Sequence, residues 1–250
     1  MLSTGGRRAI AEGVGTAFLV TTVVGSGIAA SRLSADPGLR LLVNSLVTGA
    51  ALVALILALQ PVSAAFNPVV TLVEKALGAL TWAQAGMLIA AQTAGGIVGA
   101  VVANLMFDLP AVTVADTQRS GGGLWLGEVV ATLGLLLVIF GVVRAGRELL
   151  VAFAVGGYIS AAYWFTSSTS FANPAVTIAR MFSDTFAGIT PASVPMFLAM
   201  QLAGAGLGYA VIRGLYPDAV QVAERVTTAT TAQARSAAVG RSTPRVEESS

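Results

Sequence analysis

The stretches AAFNPVVTL (residues 64–72) and SFANPAVTI (residues 170–178) decide how this chain folds. Each carries an Asn-Pro pair, Asn67-Pro68 and Asn173-Pro174, at the end of a small-residue loop and ahead of an apolar run. Asn caps the free N–H groups of a helix start, and Pro tolerates the first helical turn. Both stretches therefore read as helix beginnings. The helices they open, Pro68 to Leu80 and Pro174 to Phe186, are apolar but too short to cross a bilayer, which takes roughly 20 residues. A short helix at membrane depth survives only where it packs in protein or lines a wet cavity.

Composition sets the class. With 55% hydrophobic and 10% charged residues, the 250-residue chain lacks the polar surface of a soluble globule and belongs in a bilayer. It has neither cysteine nor histidine. Disulfides, thiol nucleophiles, His-held metals and Ser-His catalysis are thereby excluded, so no catalytic residues, metal ligands or cofactor are expected. The net charge of +2 comes from Arg-rich ends rather than a basic stripe, which argues against nucleic-acid binding.

Six apolar segments are long enough to span: Ile10 to Ala30, Leu39 to Leu59, Trp82 to Phe107, Leu124 to Val143, Leu149 to Thr166 and Val194 to Leu215. The first is too long for a signal peptide and lacks a cleavage pattern, so it is read as a retained helix. The two halves repeat each other. AEGVGTAFLV around Glu12 parallels GEVVATLGLLLV around Glu128, and IAAQTAGGIVG around Gln92 parallels LAMQLAGAGLG around Gln201. Three spans per unit is an odd number, so the second copy enters from the opposite face. The expectation is an all-α membrane protein of six transmembrane helices and two re-entrant half-helices in an inverted repeat. One channel domain covers residues 1–217, with repeat one at about 8–107 and repeat two at about 124–217. Residues 218–250, rich in Ser, Thr, Ala, Gln and Arg, read as a disordered cytoplasmic tail. Placing both termini in the cytoplasm puts ten Lys and Arg residues inside and four outside, which satisfies the positive-inside bias.

Opposed half-helices would aim their N-termini at each other across the midplane, with the amides of Asn67 and Asn173 donating into the lumen. Cations meet a barrier there, while a neutral solute accepts both donors. Glu12 and Glu128 lie inside apolar spans, where a charge is costly unless it has internal partners. Gln92 and Gln201, with Gly95, Gly99, Gly204 and Gly208 at small-xxx-small spacing, read as helix-packing positions.

These residues together resemble the aquaporin (major intrinsic protein) family over nearly the whole chain. The resemblance rests on Glu12-x-x-Gly15-Thr16, the boxes Asn67-Pro68-Val69 and Asn173-Pro174-Ala175, Gln92 and Gln201 with their glycines, and Glu128. It implies that Glu12 and Glu128 hold the re-entrant loops by their backbone N–H groups. It also implies a homotetramer with one pore per subunit, a multi-pass protein of the plasma (inner) membrane. The outer constriction departs from the family pattern. The Arg that commonly follows the second box is Val176 here, and family spacing puts the other positions on Ser170, Ala161 and Val47 or Thr48. All are small or short, which implies a wide ring, neither aromatic nor charged. Arg180 can swing back toward the gap, but its expected place is the aqueous mouth or beside Asp184. Ala65 replaces the histidine that often precedes the first box, which implies a looser inner mouth.

Such a ring is expected to pass water, glycerol-like polyols, urea and uncharged metalloid hydroxides such as arsenous acid. An aliphatic residue after the second box resembles divergent bacterial channels associated with arsenic resistance. Two alternatives stay open: a water-selective aquaporin, and a structural membrane protein with a closed pore.

Overall fold

The computed structural model describes residues 2–227 and is helical throughout its core. Helices α1 (Thr4–Leu33), α2 (Pro37–Leu59) and α4 (Trp82–Met106) form the first half, with the short α3 (Pro68–Ala76) between the last two. The second half repeats the order as α5 (Gly122–Arg144), α6 (Val151–Phe165), short α7 (Pro174–Ala179) and α8 (Val194–Leu215). Short 3-10 turns at Glu148–Leu150, Arg180–Phe182 and Pro191–Ser193 extend α6, α7 and α8. Six of these units are long and apolar enough to cross a membrane. Both ends of the described chain therefore lie on one face, the terminal side, opposite the loop side.

Helix pairing shows the repeat. Contact of α1 with α4 is mirrored by α5 with α8, α1 with α2 by α5 with α6, and α4 with α7 by α3 with α8. α2 meets its equivalent α6 across the pseudo-axis, and the half-helices α3 and α7 meet there as well. Glycine sets how closely these helices approach. A Cβ on Gly95 or Gly99 would collide with the α1 backbone at Gly13 and Ala17, and one on Gly204 would lie 2.7 Å from the Val129 carbonyl of α5. Backbones can touch only where the side chain is absent, and in lipid such packing supplies much of the association.

Both half-helices stop earlier than their apolar runs. α3 ends at Ala76, with Leu77 as its C-cap and Gly78 in the left-handed region at φ 92°. α7 ends at Ala179, because after a 3-10 turn the chain goes extended at Ser183 and folds back, Ile189 N–H bonding the Arg180 carbonyl.

The first part of the stretch read as a disordered tail is ordered. Residues 219–227 are helical and bury Ala219, Val222 and Ala223 against the terminal side. Ion pairs tie this segment down, Arg144 to Asp218 at 3.1 Å and Arg225 to Glu148 at 3.5 Å. The remainder of that expectation, residues 228–250, lies outside the described residues.

Gly95→Val should overpack the α1–α4 crossing at a cost of about 1–3 kcal/mol, lowering the melting temperature of the detergent-purified protein. Gly86→Ala, at a position with nothing within 4 Å, should leave it unchanged or raised.

Candidate functional site

The loops ahead of α3 and α7 carry the site. Phe66 and Ala172, immediately before the two asparagines, sit at φ 48° and 46°, a left-handed conformation unusual for residues with a Cβ. Each costs roughly 1–3 kcal/mol and persists only when its surroundings enforce it. The enforcing groups are carboxylates. Glu128 accepts from the N–H groups of Phe171 and Ala172, both at 2.9 Å. Glu12 accepts from Ala65 N–H at 2.9 Å, Phe66 N–H at 2.6 Å and the Ser63 hydroxyl at 2.5 Å. Both glutamates are fully buried.

Gln92 and Gln201 do more than pack helices. Gln92 Nε2 donates to Glu12 at 2.8 Å and to Thr71 Oγ1 at 3.0 Å, and Gln201 Nε2 donates to Glu128 at 2.6 Å and to Thr177 Oγ1 at 2.8 Å. Each Glu-Gln-Thr chain links a spanning helix, its neighbour and a half-helix. A lone polar residue in an apolar helix gave no sign of this partner, although its offset repetition with Glu was visible in the sequence.

At the midplane the asparagines cross. Asn67 Nδ2 donates to the Ala172 carbonyl at 2.8 Å, and Asn173 Nδ2 donates to the Phe66 carbonyl at 2.7 Å. Their Oδ1 atoms accept from Val69 N–H and from Ala175 and Val176 N–H, which caps the half-helices. One of the two N–H bonds on each amide is thus committed to the opposite loop. The second is left to meet a solute, one donor from each asparagine.

A cavity of about 110 Å³ passes these amides and reaches toward both faces. Its wall uses stripes of α2 and α6: Thr48, Leu52 and Ile56 from α2 with its C-cap Gln60, and Val151, Val155, Ile159 and Tyr163 from α6. A spacing of four keeps each set on one face. Val47 and Ala161 fall off those stripes, one residue from Thr48 and two from Tyr163, which turns them outward, where they are exposed. They do not line the cavity, whereas Thr48, Ser170 and Val176 do.

The loop-side end is also neither apolar nor uncharged. Tyr163 hydrogen-bonds Thr48 at 3.3 Å, and Arg180 is buried with its guanidinium 3.4 Å from the Phe171 ring centroid. Its Nε donates to the Ala187 carbonyl. Asp184 instead accepts from Asp116 N–H at 3.1 Å. Arg180 therefore bends back over the pore rather than facing the mouth or Asp184, because the returning segment offers it a carbonyl and Phe171 a face. Arg119 follows, donating to the Gly188 carbonyl at 3.0 Å and lying 5.0 Å from the same ring. Burial lowers its pKa from the ordinary value, opposed by Tyr163 and Glu128. At the terminal side, Arg8, Glu74, Val226 and Thr227 line the cavity together with Ala65.

Replacing Glu128 by Gln should leave one loop N–H facing an amide N–H, at about 1.5–3 kcal/mol. A lowered melting temperature together with a loss of water flux in proteoliposomes would show it.

Comparison with known proteins agrees with this architecture. The family model "Major intrinsic protein" matches residues 3–150 and again 146–243. The chain is 48% identical over 214 residues to aquaglyceroporin AqpS of Rhizobium meliloti (strain 1021), covering 85% of this chain and 91% of the relative. It is 34% identical over 148 residues to aquaporin C of Dictyostelium discoideum, covering 54% and 52%. The solved aquaglyceroporin from Plasmodium falciparum superposes with a TM-score of 0.66 at 21% identity, over 88% of this chain and 96% of that one, a likeness of fold. With its paired Asn-Pro half-helices and the match of both halves to one family model, the chain belongs to the major intrinsic protein family, a multi-pass membrane protein and not an enzyme.

Proposed function

We propose that the chain is a passive channel for small uncharged solutes, carrying water, glycerol-like polyols and uncharged metalloid hydroxides such as arsenous acid. One observation carries the reading. A cavity lined by both midplane asparagines has Val176, not a guanidinium, beside the second box. Two amide N–H donors in a largely aliphatic wall suit a neutral solute bearing hydroxyls, which trades water for those donors. A bare cation finds no carboxylate or carbonyl cage near the midplane to replace its hydration. Similarity to an aquaglyceroporin at 48% identity supports polyol transport.

The outer ring is best described by Thr48, Tyr163, Ser170, Val176 and Arg180. Its charge comes from Arg180, about one helical turn beyond the usual position, which leaves the space beside Val176 open. Enclosure by Tyr163 and Phe171 is the observation that favours the water-selective alternative. Apolar side chains exposed on α2 and α6, among them Leu46, Leu57, Phe153 and Trp164, suit lipid or neighbouring copies. We assign the protein to the inner membrane as a homotetramer with cytoplasmic termini.

Stopped-flow light scattering of proteoliposomes should show shrinkage followed by fast re-swelling in glycerol or arsenous acid. Water flux without re-swelling would establish the water-selective reading, and neither flux the closed one. Val176→Arg should reduce glycerol flux more than water flux, on the order of tenfold, if one guanidinium there removes about 1.4 kcal/mol of solute stabilisation. An unchanged ratio would place the constriction elsewhere.

A further inference from the structure

The segment that returns over the loop-side mouth brings two guanidiniums to one aromatic ring. Arg180 and Arg119 lie 3.4 and 5.0 Å from the Phe171 centroid, so no more than the sum of those distances separates their Cζ atoms. Two like charges in that space repel. Neither has a carboxylate within ion-pair distance among the described residues, whose two ion pairs, Arg144 with Asp218 and Arg225 with Glu148, sit at the terminal side. Glu128 attracts both, but its oxygens are taken by the N–H groups of Phe171 and Ala172 and by Gln201. Asp184 accepts from the Asp116 N–H instead.

Both arginines line a hollow of about 260 Å³ together with Tyr163 and Thr169, and no carboxylate is among its described lining residues. Tyr163 and Arg180 also line the pore cavity, so the hollow adjoins the mouth of the pore. The donors there are not all spent. Arg180 is 3% exposed, and beyond the bond from its Nε to the Ala187 carbonyl its two terminal nitrogens make no hydrogen bond among the described residues. Arg119 uses Nε on the Gly188 carbonyl at 3.0 Å and one terminal nitrogen on the Phe186 carbonyl at 3.4 Å, which leaves the other. At the same end of the cavity the Ser170 hydroxyl is buried without a partner. A buried cation without a counter-ion is costly, and an anion supplied from solution removes that cost.

We propose that this hollow is an anion site, which takes a small tetrahedral oxyanion between Arg119 and Arg180, and that an anion seated there blocks the pore from the loop side. The block rests on the channel reading above. A tetrahedral oxyanion presents several acceptor oxygens around one centre, which suits two forked guanidiniums donating from different elements; a halide offers one centre and matches them less well. The anion goes no further, because the wall beyond is aliphatic, with Leu52, Val155 and Ile159, and entering it strips hydration that nothing there replaces. A polyol carries no charge to hold it between the arginines and moves on. Since Arg180 belongs to both the hollow and the pore wall, an anion bound to it covers a group that every passing solute meets.

The test is glycerol re-swelling of proteoliposomes at pH 7 with sodium phosphate on both sides of the membrane, against sodium chloride at equal ionic strength. Calorimetric titration of phosphate into the detergent-purified protein runs in parallel. Wild-type flux should fall to a saturating loss as phosphate rises and stay constant in chloride, and the titration should show one site per chain. Arg119→Gln, compared with its own phosphate-free flux, should need on the order of tenfold more phosphate for the same loss, the effect of removing one charge-assisted contact. Thr169→Asp should abolish the inhibition by building a counter-ion into the hollow, at a left-handed residue (φ 61°) that Asp tolerates better than Thr. Glycerol flux that phosphate lowers no more than chloride does would overturn the proposal alone, and a hollow already filled by a lipid headgroup phosphate would give that result. Inhibition undiminished in either variant would also overturn it. Should neither variant pass glycerol, the wild-type titration decides, and no phosphate binding there overturns the site. A wild-type protein without glycerol flux in the absence of phosphate would overturn the channel reading and the block with it.

Discussion

Two buried carboxylates accept hydrogen bonds from loops that would otherwise have no reason to hold their shape. Glu12 and Glu128 each take two adjacent backbone N–H groups, and each is braced by a glutamine from the next helix. A charge at that depth costs several kcal/mol unless its oxygens are satisfied. Here the satisfying donors are the loop N–H groups that would themselves be orphans in lipid. Left-handed Phe66 and Ala172 follow from that exchange, and so does the aim of their carbonyls at the opposite asparagine.

The crossed bonds between Asn67 and Ala172, and between Asn173 and Phe66, then lock the halves together at mid-membrane. They leave the pore two N–H donors rather than four. We propose that selectivity for neutral solutes comes from what surrounds those donors: aliphatic stripes from α2 and α6, and Arg180 displaced a turn from the second box. The last of these is made by the returning segment 183–189, whose carbonyls hold Arg180 and Arg119 over Phe171.

Much of this was legible in the sequence, and the limits have physical reasons. The spans follow from hydropathy alone, and the half-helices from Asn-Pro followed by apolar runs too short to cross. The repeated Glu, Asn-Pro and Gln segments fixed the inverted repeat. Helix phase was harder. Thr48 and Val47 differ by one residue but by about 100° around α2, and spacing counted through a loop cannot resolve that angle. The four-residue rhythm Thr48, Leu52, Ile56, Gln60 was available to resolve it, since it runs from polar end to polar end. Arg180 was misplaced for another reason: its position depends on a non-regular segment whose path no periodicity encodes. The packed helix at 219–227 was hidden because its buried residues, Ala219, Val222 and Ala223, make a short apolar side interrupted by Gln221, Glu224 and Arg225.

The most direct measurement is a high-resolution density map of the purified protein in glycerol. The expected result is a solute or water oxygen at the midplane within about 3 Å of both Asn67 Nδ2 and Asn173 Nδ2, with each amide still bonded to the opposite loop's carbonyl. A midplane blocked by side chains, or asparagines turned away from the lumen, would contradict the central claim that the crossed amides form the floor of an open pore.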